Sequence, residues 1–354
     1  MKRVALLLCL SSLAFAQDIE LPHTLSNDSV ADADQVMGNF NTLRHDANSK
    51  NERLTAIESL ILSNLRNLGI GGGLNQTVQT NNFNGNENTA LGFDALRWNT
   101  GGYRNTAVGH NALLRNESGG LNTAVGHRSL EVNTGSLNTA VGARSLLRNS
   151  TGTSNVAIGH NALSYNETGR ENVAVGSAAL QLNTTGEQNV AIGSSSQSVS
   201  STGIRNSSVG HVSLLRNKTG IGNSALGWGA LLDNVDGDYN TALGYLALVS
   251  IDTGSGNTAV GMEAFRSLQS GTNNTALGYG AGADDLSSGT LENATAIGYN
   301  AKVSASNKVQ LGNASVTSVA TSGKLTAGTV TYPNAHGTDG QVLGTTGSGE
   351  LVWV

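Results

Sequence analysis

Small and apolar residues recur along this chain with a period longer than that of any helix or strand. The phrase seen most clearly as Asn105-Thr-Ala-Val-Gly109 is written thirteen times between Asn88 and Ala301. Its anchors fall at Asn88, Asn105, Asn122, Asn138, Asn155, Asn172, Asn189, Asn206, Asn223, Asn240, Asn257 and Asn274, and a looser last copy ends at Ala296-Ile297-Gly298. Of the eleven steps from Asn88 to Asn274, ten are 17 residues and one is 16. A period held this strictly predicts a solenoid, in which each repeat is one coil of chain stacked on the last.

The columns of the repeat say what each coil contains. Two residues after the anchor stands Ala in every copy except Ser208; then comes Val, Ile or Leu, then Gly. Three residues beyond that Gly the residue is Ala or Ser, and a Leu usually follows, as at Leu113 and Leu180. A second Asn column runs through Asn99, Asn116, Asn133, Asn149, Asn166, Asn183, Asn217 and Asn234, and Gly recurs three residues before each next anchor. Strand alternation puts Thr and Val on one face and Asn, Ala and Gly on the other. The Val column predicts a continuous apolar spine between stacked coils, and the Asn columns predict amide ladders. The recurring Asn-x-Thr/Ser-Gly clusters are turn chemistry. At about 4.8 Å per stacked strand, thirteen coils span about 60 Å.

Apolar residues at alternating steps of three and four, Phe40, Leu43, Ala47, Leu54, Ile57, Ile61 and Leu68, with Lys50 and Asn64 at the two interrupted positions, predict a heptad seam and a coiled-coil stalk over 35–69. Gly69 to Gly73 is expected to end that helix. A phosphate cradle is not expected in this glycine run, because no strand is foreseen before it and no Lys-Ser or Lys-Thr follows. The polar stretch 17–34 and the Gly/Asn-rich linker 70–87 predict no element, and 304–354 reads as a small β-rich module.

Composition changes the picture in two ways. Charged residues are 13% of the 354-residue chain and the net charge is −5, so there is no electrostatic reason to expect nucleic acid. At the N-terminus, Lys2-Arg3, an apolar run from Val4 to Leu10 and Ala14-Phe15-Ala16 predict an export signal over 1–16. The run is too short to span a membrane, and no transmembrane segment is expected after its removal. The chain's single cysteine, Cys9, lies inside that signal, so the exported chain is expected to lack disulfides and cysteine chemistry.

Each coil offers about 1.5–3 kcal/mol for each large buried side chain against about 1–2 kcal/mol for each residue ordered. A lone coil stack is therefore under-packed. Small residues permit close approach of another backbone, so the Ala and Gly face is expected to be a meeting surface between identical chains. A parallel homo-oligomer, a trimer, follows.

Asn293-Ala-Thr-Ala-Ile-Gly-Tyr-Asn-Ala301, Asn155-Val-Ala-Ile-Gly159 and Asn189-Val-Ala-Ile-Gly193 resemble the head repeats of trimeric autotransporter adhesins of the YadA-like type. The 17-residue form is similar to repeats of bacterial surface proteins and phage tail-fibre-like proteins. The likeness covers 88–303 and implies an all-β, left-handed parallel β-roll in a homotrimer, with adhesion at the cell surface or after secretion. Such adhesins end in a membrane β-barrel, whereas no set of long alternating strands precedes Val354. Residues 309–354 resemble the module before the chaperone domain of tail-fibre-like proteins.

The candidate chemistry sits in the position after each repeat Gly. Phe93, His110, His127, His160, His211, Trp228, Tyr245, Tyr279 and Tyr299 fill it, and the eight from His110 onward are the candidate receptor-binding column. A stack of imidazoles can bind metal, but only His110 and His127 are in consecutive coils. No metal or cofactor is expected. Asp94, Glu117, Glu167, Glu263, Asp284 and Asp285 show no repeated pairing of the kind glycoside cleavage needs, so no catalysis is expected. The Thr column, interrupted by Val156, Val173 and Val190, is weak support for an ice-binding face. The expectation is a fibre that binds host, matrix or glycan receptors; the alternatives are a purely structural extracellular fibre and a tail-spike-like polysaccharide-degrading enzyme.

Overall fold

The computed structural model describes residues 68–70, 87–284, 290–320, 322, 325–328, 330–332, 338–345, 347 and 351–354. The chain divides into two compact units, Met1–Leu68 with Asn86–Asn88, and Gly69–Gly85 with Thr89–Val354. The repeats from Thr89 onward lie in the second. The export signal, the polar segment 17–34, the coiled coil as far as residue 67 and linker residues 71–86 lie outside the described residues. Leu68–Ile70 is a strand, so Leu68 and Gly69 do not end a helix, and a strand does precede Gly71. Among the described residues every regular element is a strand.

The repeat folds as a parallel β-solenoid. Fourteen strands, from Thr89–Leu91 to Val309–Leu311, lie in order in one fifteen-stranded sheet. Each pairs in parallel with the same residues of the next coil, as in Val173↔Val190, Ala174↔Ala191 and Val175↔Ile192. The β-branched, three-residue strand fits a pleated surface, and the fixed period holds its register. Shorter ladders line another side, for example Arg115–Asn116, Val132–Asn133 and Arg148–Asn149. Beyond the array, Leu325–Ala327 pairs antiparallel with Val330–Tyr332, and Leu343–Thr345 with Leu351–Trp353.

Both Asn columns form amide ladders inside the coils. In the anchor ladder the Asn122 backbone N–H donates to Asn105 Oδ1 (2.9 Å), and this repeats as far as Asn274 on Asn257 Oδ1 (3.1 Å). In the second, Asn116 Nδ2 donates to Asn99 Oδ1 (2.8 Å) and Asn133 Nδ2 to Asn116 Oδ1 (2.7 Å). The same amides also reach turn carbonyls, such as Asn166 Nδ2 to Gly169 O at 2.9 Å. Buried amides are tolerated because nearly every donor and acceptor is used.

The two faces of the strand meet the opposite surroundings from those expected. The Ala column is interior, with Ala107, Ala124, Ala140, Ala157 and Ala174 all at 0% exposure, and it packs with the second small column and the Leu column into the core. The Val, Ile and Leu column points outward, and ten of its thirteen residues are more than a third exposed. It is therefore no internal spine. The backbone that the small residues admit belongs to the same chain: a Cβ on Gly176 would sit 2.5 Å from Gly193 O in the next coil. The Ala and Gly face is consumed by stacking within one chain and offers no meeting surface to another.

Each coil closes through left-handed backbone at side-chain-bearing residues. In the coil that begins at Asn105 these are Asn111 (φ 59°), Leu113 (φ 49°) and Leu121 (φ 60°). Left-handed geometry costs an L-residue about 1–2 kcal/mol, so the corners are held by burial of the Leu column and by the ladders. The repeat Gly, at φ between 131° and 141° from Gly92 to Gly278, handles the corner that no side chain fits.

Candidate functional site

The residue after each repeat Gly lies just past the outward strand, and parallel pairing sets these residues in a row. The row is broken into separate stacks. Phe93 lies on His110 (centroids 5.5 Å, planes 25° apart) and His110 on His127 (5.3 Å, 4°). His211, Trp228 and Tyr245 follow at 6.2 and 5.1 Å, and Tyr279 on Tyr299 at 5.5 Å. Ala143, Ser177, Ser194 and Met262 take the intervening places. His160 thus stands between Ala143 and Ser177 and stacks on no ring.

All nine rings of the row are exposed. Stacking along the row covers ring faces, so exposure falls on the rims, and ring rims carry the hydrogen-bonding groups of Tyr, Trp and His. A sugar lying flat on a ring finds open faces only at the ends of the stacks and at His160. The row is better suited to hydrogen bonding along its length.

Three columns make up this side of the coil: the first strand residue, the third strand residue and the ring. From Thr89 to Tyr299 their thirty-nine positions hold no Asp, Glu, Lys or Arg. Charge begins one residue further on, at Asp94, Arg128, Arg144 and Glu263, where Asp94 pairs with Arg97 (3.1 Å), Arg128 with Glu131 (2.5 Å) and Glu263 with Arg266 (2.9 Å). Asp94 and Glu263 are thus held in local ion pairs. Among the described residues no group of three or more His, Cys, Asp or Glu is placed to hold a metal ion, and no helix is long and apolar enough to cross a membrane.

Two further exposed rings, in another column of the coil, were not singled out from the sequence. Trp98 and Tyr165, both exposed, lie beneath guanidinium groups, Arg97 at 5.2 Å and Arg148 at 5.5 Å from the ring centroids. Trp98, Arg115, Val132, Arg148 and Tyr165 share one column at the coil period. That shared column was the signal available.

No protein-family model matches this chain, and no curated protein matches it at a significant level.

Proposed function

We propose that this chain forms a secreted or surface-displayed, homotrimeric adhesin-like fibre with a coiled-coil stalk and a left-handed β-roll head, which binds host, matrix or glycan receptors without catalysis. The observation that carries the reading is the exposed, rim-outward row of histidines, tyrosines and Trp228 on a solenoid side without formal charge. Rims of this kind present hydrogen-bond donors and acceptors together with apolar ring edges, the mixture that hydroxyl-rich ligands engage.

The test is binding of the purified protein to glycan arrays, matrix proteins and host cells, repeated with Trp228→Ser and Tyr245→Ser together. At least a tenfold loss on the double variant, with strand content unchanged, is expected. Binding that ignores the double variant overturns the role of the row. Absence of binding to every surface favours a purely structural fibre, for which the ring stacks serve only as side-chain ladders. Release of reducing ends from polysaccharide would point instead to a tail-spike-like enzyme.

A further inference from the structure

We infer that the column Trp98, Arg115, Val132, Arg148 and Tyr165 is a binding strip for an acidic polysaccharide. It belongs to the short ladder on another side of the coil from the ring row, and it goes beyond the receptor reading above without using it.

The backbone sets the strip in register. Arg115 pairs with Val132 and Val132 with Arg148 in parallel strands. The column is carried on at both ends, where the Trp98 N–H donates to Leu114 O (2.9 Å) and the Arg148 N–H to Ser164 O (3.0 Å). All five side chains are exposed. Four strand steps make the strip about 19 Å long, and the two arginines stand about 10 Å apart.

The charge of these arginines is left unanswered. From Asn88 to Ser154 six arginines face three carboxylates, a net of +3 in a chain of net −5. Asp94 is taken by Arg97 and Glu131 by Arg128. Glu117, exposed two residues past Arg115, makes no ion pair among the described residues, and no carboxylate there pairs with Arg115 or Arg148. The same column neutralises arginine further along: Arg216 meets Asp233 of the next coil at 3.1 Å. At Arg115 and Arg148 the next coil supplies Val132 and Tyr165 instead. Tyr165 lies under the Arg148 guanidinium, 5.5 Å from ring centroid to carbon, which holds the cation in place without using up an N–H donor. The planar fork of such an arginine matches a carboxylate or sulfate.

Spacing and chemistry choose the ligand. A nucleic-acid strand carries a phosphate about every 3.4 Å, so most of its charges would face Trp98, Val132 and Tyr165 rather than an arginine. A polysaccharide with a carboxylate or sulfate on alternate sugars is charged more sparsely, and its apolar C–H surfaces and hydroxyls suit the two rings and the valine between the cations.

The test measures binding of the full chain to heparin and to polygalacturonate, with dextran and oligo(dT) as controls. Arg115→Gln with Arg148→Gln is expected to weaken binding to one or both acidic polymers at least tenfold. Arg144→Gln with Lys218→Gln removes the same charge at other exposed positions and should weaken it less than threefold. Glu117→Gln should tighten it two- to threefold. Heparin without polygalacturonate assigns sulfate, and the reverse assigns carboxylate. Binding to neither polymer, equal loss from the two double variants, or tighter binding to oligo(dT) would each overturn the inference. Trp228→Ser with Tyr245→Ser should leave acidic-polymer binding unchanged, so the strip and the ring row fail or stand separately.

Discussion

Two adjacent coils, 172–188 and 189–205, share a backbone and differ in what fills it. The first has every column intact: Ala174, Ala179 and Leu180 are at 0% exposure, and Asn183 Nδ2 donates to Asn166 Oδ1 at 2.8 Å. The second has Ser196, Gln197 and Ser200 where Ala, Leu and Asn stand in its neighbour, and Ser208 follows in the next Ala column. All four are at 0% exposure. Gln197 Nε2 donates to Ser208 Oγ (2.8 Å) and to Val190 O (2.9 Å), and Ser196 Oγ lies 2.5 Å from Ser208 Oγ. Gln197 Oε1, Ser200 Oγ and Asn183 Oδ1 are buried without a partner. The apolar core splits here into one cluster ending at Ala191 and another beginning at Leu214. Strand pairing crosses the break without a change of register. The backbone ladder and the anchor Asn ladder therefore suffice to propagate the coil, whereas the Leu and second Asn columns supply stability that one coil can forgo.

Substitutions can separate these contributions, beginning with the most damaging. The repeat Gly is common to both coils, so Gly176→Ala and Gly193→Ala should each cost about 4 kcal/mol, since the new Cβ meets a carbonyl oxygen at 2.5 and 2.4 Å at φ above 130°. Unequal denaturant midpoints for the two variants would show that the backbones are not equivalent. Next, Leu180→Ala should destabilise by about 3 kcal/mol, and Gln197→Ala by under about 1 kcal/mol because a buried unpaired carbonyl goes with it. Chemical denaturation of the pair decides whether the Leu column carries the core. Restoring the ladder with Ser200→Asn should stabilise by about 1 kcal/mol through partners for Asn183 and Asn217, seen as slower amide exchange in this coil. Smallest, Val212→Gly should raise stability by a few tenths of a kcal/mol. Val212 is a β-branched residue at φ 50°, in a column that elsewhere holds Gly229 and Gly280. A lower melting temperature would contradict it.

Much of this fold was legible in the sequence, and the part that was not has a clear physical cause. Period, strand position, amide ladders and the close backbone approach at Gly all follow from spacing and residue size. Which strand face turns inward does not, because alternation defines two faces without ordering them, and ranking by hydrophobicity buries Val108 before Ala107. The better cue was constancy. The inner column is Ala in every copy but one, since the coil interior has one fixed width. The outer columns drift among Thr, Val and Ser and among Val, Ile and Leu. The left-handed corners at Leu113 and Leu180 were hidden because Leu carries no turn signature; burial, not propensity, holds them there. The ring row and its breaks at Ala143, Ser177, Ser194 and Met262 can be read from the sequence, whereas the face-to-face stacking of neighbouring rings, 5.1–6.2 Å apart and within 25° of parallel, is seen only in the structure.

The single 16-residue step has its own consequence. The missing residue falls between Asn133 and Gly135, where other coils have one more, yet Asn138 N–H still reaches Asn122 Oδ1 at 2.9 Å. Near the other end, Ala294 N–H reaches Asn274 Oδ1 at 2.8 Å across 20 residues. Length can thus change between anchors while they stay in contact, which makes the turn between Asn133 and Gly135 a natural grafting point. A short foreign peptide inserted after Asn133 should be carried by the solenoid as a loop, and whole 17-residue units could be duplicated or removed to set how many such loops one molecule presents.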